Sequence, residues 1–230
     1  MLIPSYFYTD DFEELHSYFL SQPHTCQHFH RGDYLWRPNE CIERIYYIKS
    51  GIARTTVQHE DGHEKLIHFH GKGTVCPGCH ESKYKIEQSI IMTAVSDMET
   101  LVFSRENFYH MYQENRRLNA LILEGYARFI NLLIYEAAHQ EYNSSLMKLC
   151  NLLYLFTENS PYDDPFHIEL TQTDIANNLT INRVNVAKHL SRLRNEGIIR
   201  SHRNCVEIVD IDGLKRHCSF ETIRSDGSKN

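Results

Sequence analysis

The sequence lacks any long hydrophobic run: no stretch of its 230 residues approaches the eighteen or so apolar residues that a membrane-spanning helix needs. Its first residues carry neither a basic segment nor a long apolar segment, so we expect no secretion signal and a cytoplasmic location. Hydrophobic residues make up 41% and charged residues 23%, which is enough to bury a core. Membrane proteins and disordered chains are therefore excluded as classes.

The chain has fewer basic than acidic residues, 24 against 30, so its formal net charge is -6. Such a chain cannot hold nucleic acid through its overall field, so any nucleic-acid contact must come from a local basic patch. The seven cysteines are an odd number. In a cytoplasmic protein they should be mostly reduced, which argues against a disulfide framework.

The first half of the chain has the pattern of an antiparallel β-roll. Short β-branched or aromatic runs alternate with turn residues, and Asp61-Gly62 between two such runs is a strong hairpin signal. The predicted strands are Tyr34–Trp36, 45–48, 52–57, 65–69 and 89–95.

A long helix is predicted after Arg105, where Gly and Pro almost disappear for more than fifty residues and apolar residues recur at helical spacing. One apolar stripe steps by three and four residues, which is typical of a dimerisation seam. The alternative is a helix buried in a single larger core. The predicted seam consists of Leu118, Ile122, Gly125, Phe129 and Leu132.

A helix-turn-helix pattern begins at Thr171, which with Asp174 three residues later predicts a helix N-cap. Asn182 is predicted to cap the second helix. Side chains on the outer face of such a second helix can reach base edges in DNA. The predicted DNA-binding residues are Thr171, Gln172, Thr173, Asn182, Arg183, Val184, Asn185, Lys188, His189 and Arg192.

A two-stranded wing is predicted downstream, over residues 197–209. Between Arg183 and Arg203 there are six basic residues against Glu196 alone, a local balance of +5 that leaves -11 for the rest of the chain. Such charge separation is typical of a DNA-facing module on an acidic protein.

The rival class is an enzyme with an accessory nucleic-acid module. The sequence shows no nucleophile with a base at recognisable spacing, no phosphate-binding Gly-rich loop and no paired-carboxylate motif. We therefore predict that the protein is not an enzyme and needs no cofactor.

The order of roll, long helix and winged helix-turn-helix resembles the CRP/FNR superfamily of bacterial transcription regulators. The resemblance implies an α+β fold: a jelly-roll-like β-roll that resembles a cyclic-nucleotide-binding domain (1–115), a dimerisation helix (116–143) and a winged helix-turn-helix domain (144–230). It also implies a homodimer on palindromic double-stranded operator DNA, controlled by a small effector, with RNA polymerase as a partner if the protein activates.

Base-reading positions of the family correspond to Arg183, Val184 and Lys188. Many members carry Glu where this chain has Val184, so the operator need not match theirs. The turn residue that is often Gly in the family is Thr180 here.

In the family members that bind cyclic nucleotides, an Arg contacts the cyclic phosphate. The predicted effector pocket of this chain differs from theirs at that position. Gln88 stands at that position, and a neutral amide cannot make the same charge-assisted contact. We therefore expect an effector other than a cyclic nucleotide. The predicted pocket residues are Gly73, Cys76, Cys79, His80, Gln88, Ser89 and Tyr126.

The loop Cys76-Pro77-Gly78-Cys79-His80 leaves alternatives open. It could be a structural loop with buried thiols, a redox-sensing dithiol, or a haem or metal site, since carbon-monoxide sensors of the family resemble this chain in having Cys and His ligands in that loop. A metal is not predicted, and Cys76, Cys79 and His80 are its only local candidates.

Overall fold

The computed structural model describes residues 2–41, 43–78, 84–202 and 204–224. It divides into two compact units, which are described separately. The roll unit is Phe7–Phe129, and the C-terminal unit combines Met1–Tyr6 with Ile130–Asn230. In the described part of the chain, no helix is long and apolar enough to cross a membrane.

The roll unit contains two sheets. One has five strands in the order β1-β6-β5-β8-β3, and the other has four in the order β2-β9-β4-β7. All pairings are antiparallel except that of β1 with β6. The strands are β1 (Phe7–Tyr8), β2 (Thr25–Phe29), β3 (Tyr34–Trp36), β4 (Arg44–Ser50), β5 (Ala53–Gln58), β6 (Glu64–His70), β7 (Val75–Cys76), β8 (Ile90–Ala94) and β9 (Met98–Ser104). All five predicted strands are present.

The predicted hairpin joins β5 to β6. Gly62 in its loop has φ +82°, a left-handed backbone that favours glycine. The loop closes through the hydrogen bond that the His59 N–H donates to the His63 carbonyl, at 2.8 Å. In β4, four successive residues are buried, because side chains on both faces of this strand meet apolar neighbours.

Three helices follow or precede the strands of the roll: α1 (His16–Ser21), α2 (Arg105–Glu114) and α3 (Arg116–Tyr142). Ser104 caps α2 by accepting the Asn107 N–H at 3.1 Å. Asn115, with an extended backbone, separates α2 from α3, and its Oδ1 accepts the N–H of Leu118 at 3.1 Å. With 27 residues, α3 is about 40 Å long.

The apolar stripe predicted as a dimer seam is largely buried within the chain. Leu118, Ile122 and Leu132 are all less than a tenth exposed, and the first two belong to the core of the roll unit. Phe129 is half-buried, and the position of a Cβ on Gly125 lies in open space. Most of the predicted seam therefore faces the chain's own core.

The C-terminal unit is built from α4 (Ser145–Thr157), β10 (His167–Ile168), α5 (Gln172–Leu179), α6 (Arg183–Asn195), β11 (Ile199–His202), β12 (Cys205–Ile208) and α7 (Ile211–Lys215). Eight consecutive residues of α4 are buried, from Leu149 to Phe156, so this helix forms the centre of the unit. Its strands form a sheet in the order β10-β12-β11.

The first residues of the chain pack on the C-terminal unit rather than on the roll. The ring of Tyr6 lies 5.3 Å from that of Phe156, and its hydroxyl donates to the Glu136 carboxylate. The predicted domain boundaries at 115/116 and 143/144 follow the ends of α3, whereas the two compact units divide inside this helix, between Phe129 and Ile130. The predicted fold class, with roll, long helix and helix-turn-helix domain, is confirmed.

Candidate functional site

The helix α5 begins with the predicted capping box. Thr171 Oγ1 accepts the Asp174 N–H at 3.1 Å, and Asp174 Oδ2 accepts the Thr171 N–H at 2.9 Å. This arrangement satisfies N–H groups that the first helical turn leaves without partners. Thr171 is half-buried in this role, while Gln172 and Thr173 are exposed at the start of the helix, where helix N-termini can meet phosphates.

The turn between α5 and α6 places Thr180 at φ +52°. This left-handed conformation favours glycine, yet the helix-turn-helix geometry forms with threonine, and the Ile181 N–H donates to the Ala176 carbonyl at 3.1 Å. Asn182 then caps α6, because its Oδ1 accepts the Val184 N–H at 2.8 Å. Both predicted caps are thus present.

One face of α6 is buried and the opposite face is free. Val186, Leu190 and Leu193 are at most 3% exposed. The side chains of Arg183, Val184, Asn185, Lys188 and Arg192 are exposed. Val184 and Lys188, four residues apart, lie at the centre of the exposed face. Ser191, which is half-buried and was not among the predicted residues, continues their line by a further three residues.

Besides the caps Thr171 and Asn182, His189 and Arg192 have side-chain partners within the chain. His189 is half-buried, and its Nε2 lies 2.8 Å from Ser145 Oγ. Burial, with a smaller effect of Lys188 and Arg192, lowers the pKa of this histidine, so it is neutral at neutral pH. Arg192 Nε donates to Glu196 Oε1 at 2.7 Å. Since the imidazole points to α4, His189 does not belong to the exposed face of α6.

The wing is present as β11 and β12, paired from Ile199 to His202. β10, which the sequence did not predict, adds a third strand beside β12. Glu207 lies 3.3 Å from Arg200 Nη1 and 3.1 Å from His202 Nε2, so part of the predicted positive charge is neutralised. Arg203 lies outside the described residues. Within the described part of the chain, Arg183 and Lys188 form no ion pair, so the basic surface is centred on α6.

The described residues of the predicted effector pocket lie on several elements of the roll unit and on α3. Gly73, at φ +74°, lies so close to Asp10 that a Cβ would be 2.8 Å from the Asp10 Cα. Gln88 is exposed in a 3-10 turn, Lys85–Ser89, and its carbonyl accepts the Asn39 N–H. Ser89, in the same turn, is half-buried. Tyr126 on α3 packs against the core of the roll unit.

Cys76 is a core residue. It is fully buried on β7 beside Tyr46, and burial raises the pKa of its thiol to about 12. A thiol held in its protonated form is a poor nucleophile and a poor metal ligand. Cys79 and His80 lie outside the described residues. Among the described residues, no group of three or more His, Cys, Asp and Glu side chains could hold a metal ion.

Comparison with known proteins matches both halves of the chain. Residues 26–115 match the family model of the cyclic nucleotide-binding domain, and residues 147–217 match that of the Crp-like helix-turn-helix domain. A curated relative is the transcriptional regulatory protein btr of Bordetella pertussis, which is 21% identical over 192 residues, covering 81% of this chain and 78% of btr.

Solved structures of the same fold include CprK and CLP. CprK in complex with OCPA has a TM-score of 0.69 at 18% identity, covering 94% of this chain and 99% of CprK. CLP of Xanthomonas campestris, described as a c-di-GMP-responsive global regulator, has a TM-score of 0.70 at 15% identity, covering 85% of this chain and 98% of CLP.

The roll followed by a helix-turn-helix with a free basic face defines a DNA-binding transcription regulator with a sensor domain. With both domains matched in this order, the chain belongs to the CRP/FNR superfamily. The predicted family is confirmed.

Proposed function

We propose that the protein is a homodimeric regulator that binds a palindromic operator through α6 and responds to a small effector, other than a cyclic nucleotide, bound in the roll. The observation that supports DNA binding is the exposed face of α6, where Arg183 and Lys188 form no ion pair with any described residue and lie beside the exposed Val184. Arg can form two hydrogen bonds to guanine, and a lysine can meet a base or a phosphate.

The homodimer is supported by a second apolar stripe on α3, opposite the buried one. Leu123, Ile130 and Ile134 are 67%, 53% and 62% exposed. Together with the exposed Ala127 and Ala137 they step by four, three, four and three residues, the spacing of a two-helix seam. An exposed apolar stripe of this length on a monomer favours association with a second helix of the same kind.

The seam is tested by Ile134→Asp, with Tyr142→Asp, an exposed position near the end of the same helix, as the matched control. We expect wild type and the Tyr142 variant to sediment as dimers at micromolar concentration and the Ile134 variant as a monomer. Because a dimer links two half-sites, the monomer should lose tight operator binding. A monomeric wild type that binds the full palindrome tightly refutes the proposal.

An effector other than a cyclic nucleotide is supported by Gln88, which is exposed and carries no charge for a phosphate. Solved structures of this fold differ in their ligands. CprK is described in complex with OCPA, and CLP is described as responsive to c-di-GMP. The expected calorimetric result is that neither cyclic AMP nor cyclic GMP binds with micromolar affinity. Micromolar affinity for either nucleotide, together with tighter operator binding, would contradict the proposal that the effector is not a cyclic nucleotide.

The DNA interface is tested on an operator selected from random duplexes, at several salt concentrations. Arg183→Ala should weaken binding by about 1–3 kcal/mol and relax preference at one base pair of each half-site. Lys188→Ala should act in the same way if Lys188 contacts a base, or reduce the salt slope if it contacts a phosphate. Lys72→Ala, which removes a surface cation of the roll that pairs with Glu13, is the control and should change neither.

A further inference from the structure

One face of the wing gathers exposed basic side chains around a single carboxylate. Glu207 lies on β12, the central strand of the three-stranded sheet, with Arg200 directly opposite on β11 and His167 directly opposite on β10. His202 is two residues from Arg200 on β11, so it shares the same face of the sheet. We call Arg200, His202 and Glu207 the wing charge cluster.

Both basic members of the wing charge cluster contact the same carboxylate. Arg200 Nη1 lies 3.3 Å from Glu207 Oε1, and His202 Nε2 lies 3.1 Å from Glu207 Oε2. The two oxygens of Glu207 are thus divided between two neighbours. The Arg200 side chain is nevertheless 66% exposed. A DNA phosphate can therefore reach its guanidinium, but this guanidinium already has a counter-charge.

The acidic residues of this part of the chain are unevenly placed. The segment from the start of α6 to the end of β12 contains two of them, Glu196 and Glu207. Glu196 accepts a hydrogen bond from Arg192 near the end of α6. Arg183 and Lys188 form no ion pair with a described residue. The cations without a counter-charge therefore lie on the face of α6 that we propose contacts the operator, whereas the described arginine of the wing has one.

The pairing of Arg200 with Glu207 bears on DNA binding more than on folding. Binding to DNA of arbitrary sequence comes almost entirely from cations that contact phosphates and release condensed counterions. Together, Arg200 and Glu207 bring no net charge to this process, because a phosphate at Arg200 would have to displace the carboxylate and then lie beside it. Exposed ion pairs contribute little to folding stability. The main effect of Glu207 should therefore be on affinity for DNA.

The counter-charge acts differently on two kinds of duplex. On an operator, the base contacts of α6 determine where the DNA-binding domain lies, so the wing meets one fixed set of phosphates. On any other duplex no base contact fixes the domain, which can settle wherever its cations meet the most phosphates. A wing without its carboxylate would therefore strengthen binding to arbitrary sequences more than binding to the operator.

From these contacts we propose that Glu207 is a specificity-determining residue of the DNA-binding domain. Its carboxylate occupies the place of a phosphate between Arg200 and His202, and so lowers the affinity for duplexes that α6 does not recognise. This inference rests on the proposed function, in which α6 binds the operator. It goes beyond that function because it assigns a role in DNA recognition to an acidic residue, which DNA itself repels.

The test uses the full-length protein with a selected operator and a duplex of the same composition in scrambled order, at several salt concentrations. Glu207→Gln removes the charge and keeps the size of the side chain. It should bind the scrambled duplex about three- to tenfold more tightly at about 0.1 M salt, with a salt slope steeper by about 0.9 for each wing that contacts a phosphate. The operator should gain less, so the ratio of the two affinities should fall. An unchanged ratio overturns the proposal.

Two further variants separate the wing charge from charge in general. Glu221→Gln removes the same charge at an exposed position after α7, and it should leave the ratio of affinities unchanged. Adding Arg200→Ala to Glu207→Gln removes the unpaired cation, so affinity for the scrambled duplex and its salt slope should return to within about twofold of wild type. A gain that persists in the double variant, or an equal gain in the Glu221 variant, overturns the proposal.

Stability and operator selection complete the test. The melting temperature of Glu207→Gln should stay close to that of wild type, because the ion pairs are exposed. A clear fall would mean that the carboxylate holds the wing together, which overturns the proposal. If the wild type selects an operator and Glu207→Gln leaves the ratio of affinities unchanged, only this inference fails. If the wild type selects no duplex, the proposed function fails, and this inference fails with it.

Discussion

His189 and Ser145 are joined across two helices, with the imidazole Nε2 2.8 Å from the serine Oγ. His189 lies on α6, whose other polar residues face outward, and Ser145 begins α4. The bond therefore ties α6, which we propose to face DNA, to the central helix of its unit. It assigns His189 a role in orienting α6.

Ser145→Ala should lower the free energy of unfolding by about 1 kcal/mol, because it leaves the half-buried imidazole without its partner. Operator sequence preference should not change. Ser191→Ala is the opposite case: it lies on the line of Val184 and Lys188, so it should change operator affinity with little effect on stability. Urea unfolding and operator selection measure the two effects. A changed sequence preference in the Ser145 variant would contradict this role.

Val184 should determine one base of the operator. It is 73% exposed at the centre of the free face of α6, and an apolar side chain there fits the methyl group of thymine. Val184→Glu should shift the preferred base toward cytosine, whose amino group a carboxylate accepts, with discrimination of about 1–3 kcal/mol. Val209→Glu, at a 48% exposed position outside α6, is the control. Identical selected sequences for all three proteins would contradict the assignment.

A buried polar network holds the C-terminal segment on α4. Asn151 Nδ2 donates to Ser219 Oγ at 3.1 Å, its Oδ1 accepts the Ser219 N–H at 2.9 Å, and Thr222 continues the chain to Tyr135 at 2.8 Å. Asn151→Ala leaves the buried Ser219 N–H without its partner and removes one of the hydrogen bonds of Ser219 Oγ, so unfolding should become easier by about 2 kcal/mol.

The control for Asn151 is Asn195→Ala, an exposed asparagine at the end of α6, which should cost less than about 0.5 kcal/mol. Chemical denaturation followed by circular dichroism measures both. Equal stability of the two variants would mean that the network contributes nothing.

Local signals made the helix-turn-helix predictable. The caps Thr171 and Asn182 act on N–H groups two or three residues away, and the buried faces of α5 and α6 follow from helical spacing. The same holds for the β5–β6 hairpin, whose Asp61-Gly62 turn lies between adjacent strands. Such interactions can be predicted from the sequence because both partners lie within one short segment of the chain.

Features that depend on packing between distant residues could not be predicted from the sequence. α3 carries two apolar stripes, and spacing alone cannot tell whether Leu118 or Leu123 faces the chain's own core; the structure buries the first and exposes the second. Likewise, β1 pairs with β6, which brings Tyr8 beside His70 although the two residues are more than sixty positions apart in the sequence. The motif around Cys76 shows the same limit, since burial, which spacing does not reveal, raises the pKa of that thiol.

Acid should destabilise the roll through His70. Burial lowers the folded pKa of His70 to about 4, whereas an unfolded histidine has a value near 6.5. Between these values the unfolded chain binds the proton and the folded chain does not, so stability falls as the pH falls. The contribution is fully present above pH 6.5 and lost by about pH 4, and it amounts to roughly 3 kcal/mol over that interval. His68, whose pKa is lowered further, acts in the same direction.

His70→Gln should flatten this pH dependence, because glutamine does not titrate. Trp36, the chain's single tryptophan, is buried in β3, so its fluorescence reports unfolding of the roll. Urea unfolding at pH 7, 6 and 5 should give a steeper loss of stability for wild type than for the variant. His63→Gln, at an exposed position of the β5–β6 loop, should keep the wild-type slope. Carboxylates titrate alike in all three proteins, so parallel curves for wild type and His70→Gln would show that His70 is not held neutral by burial.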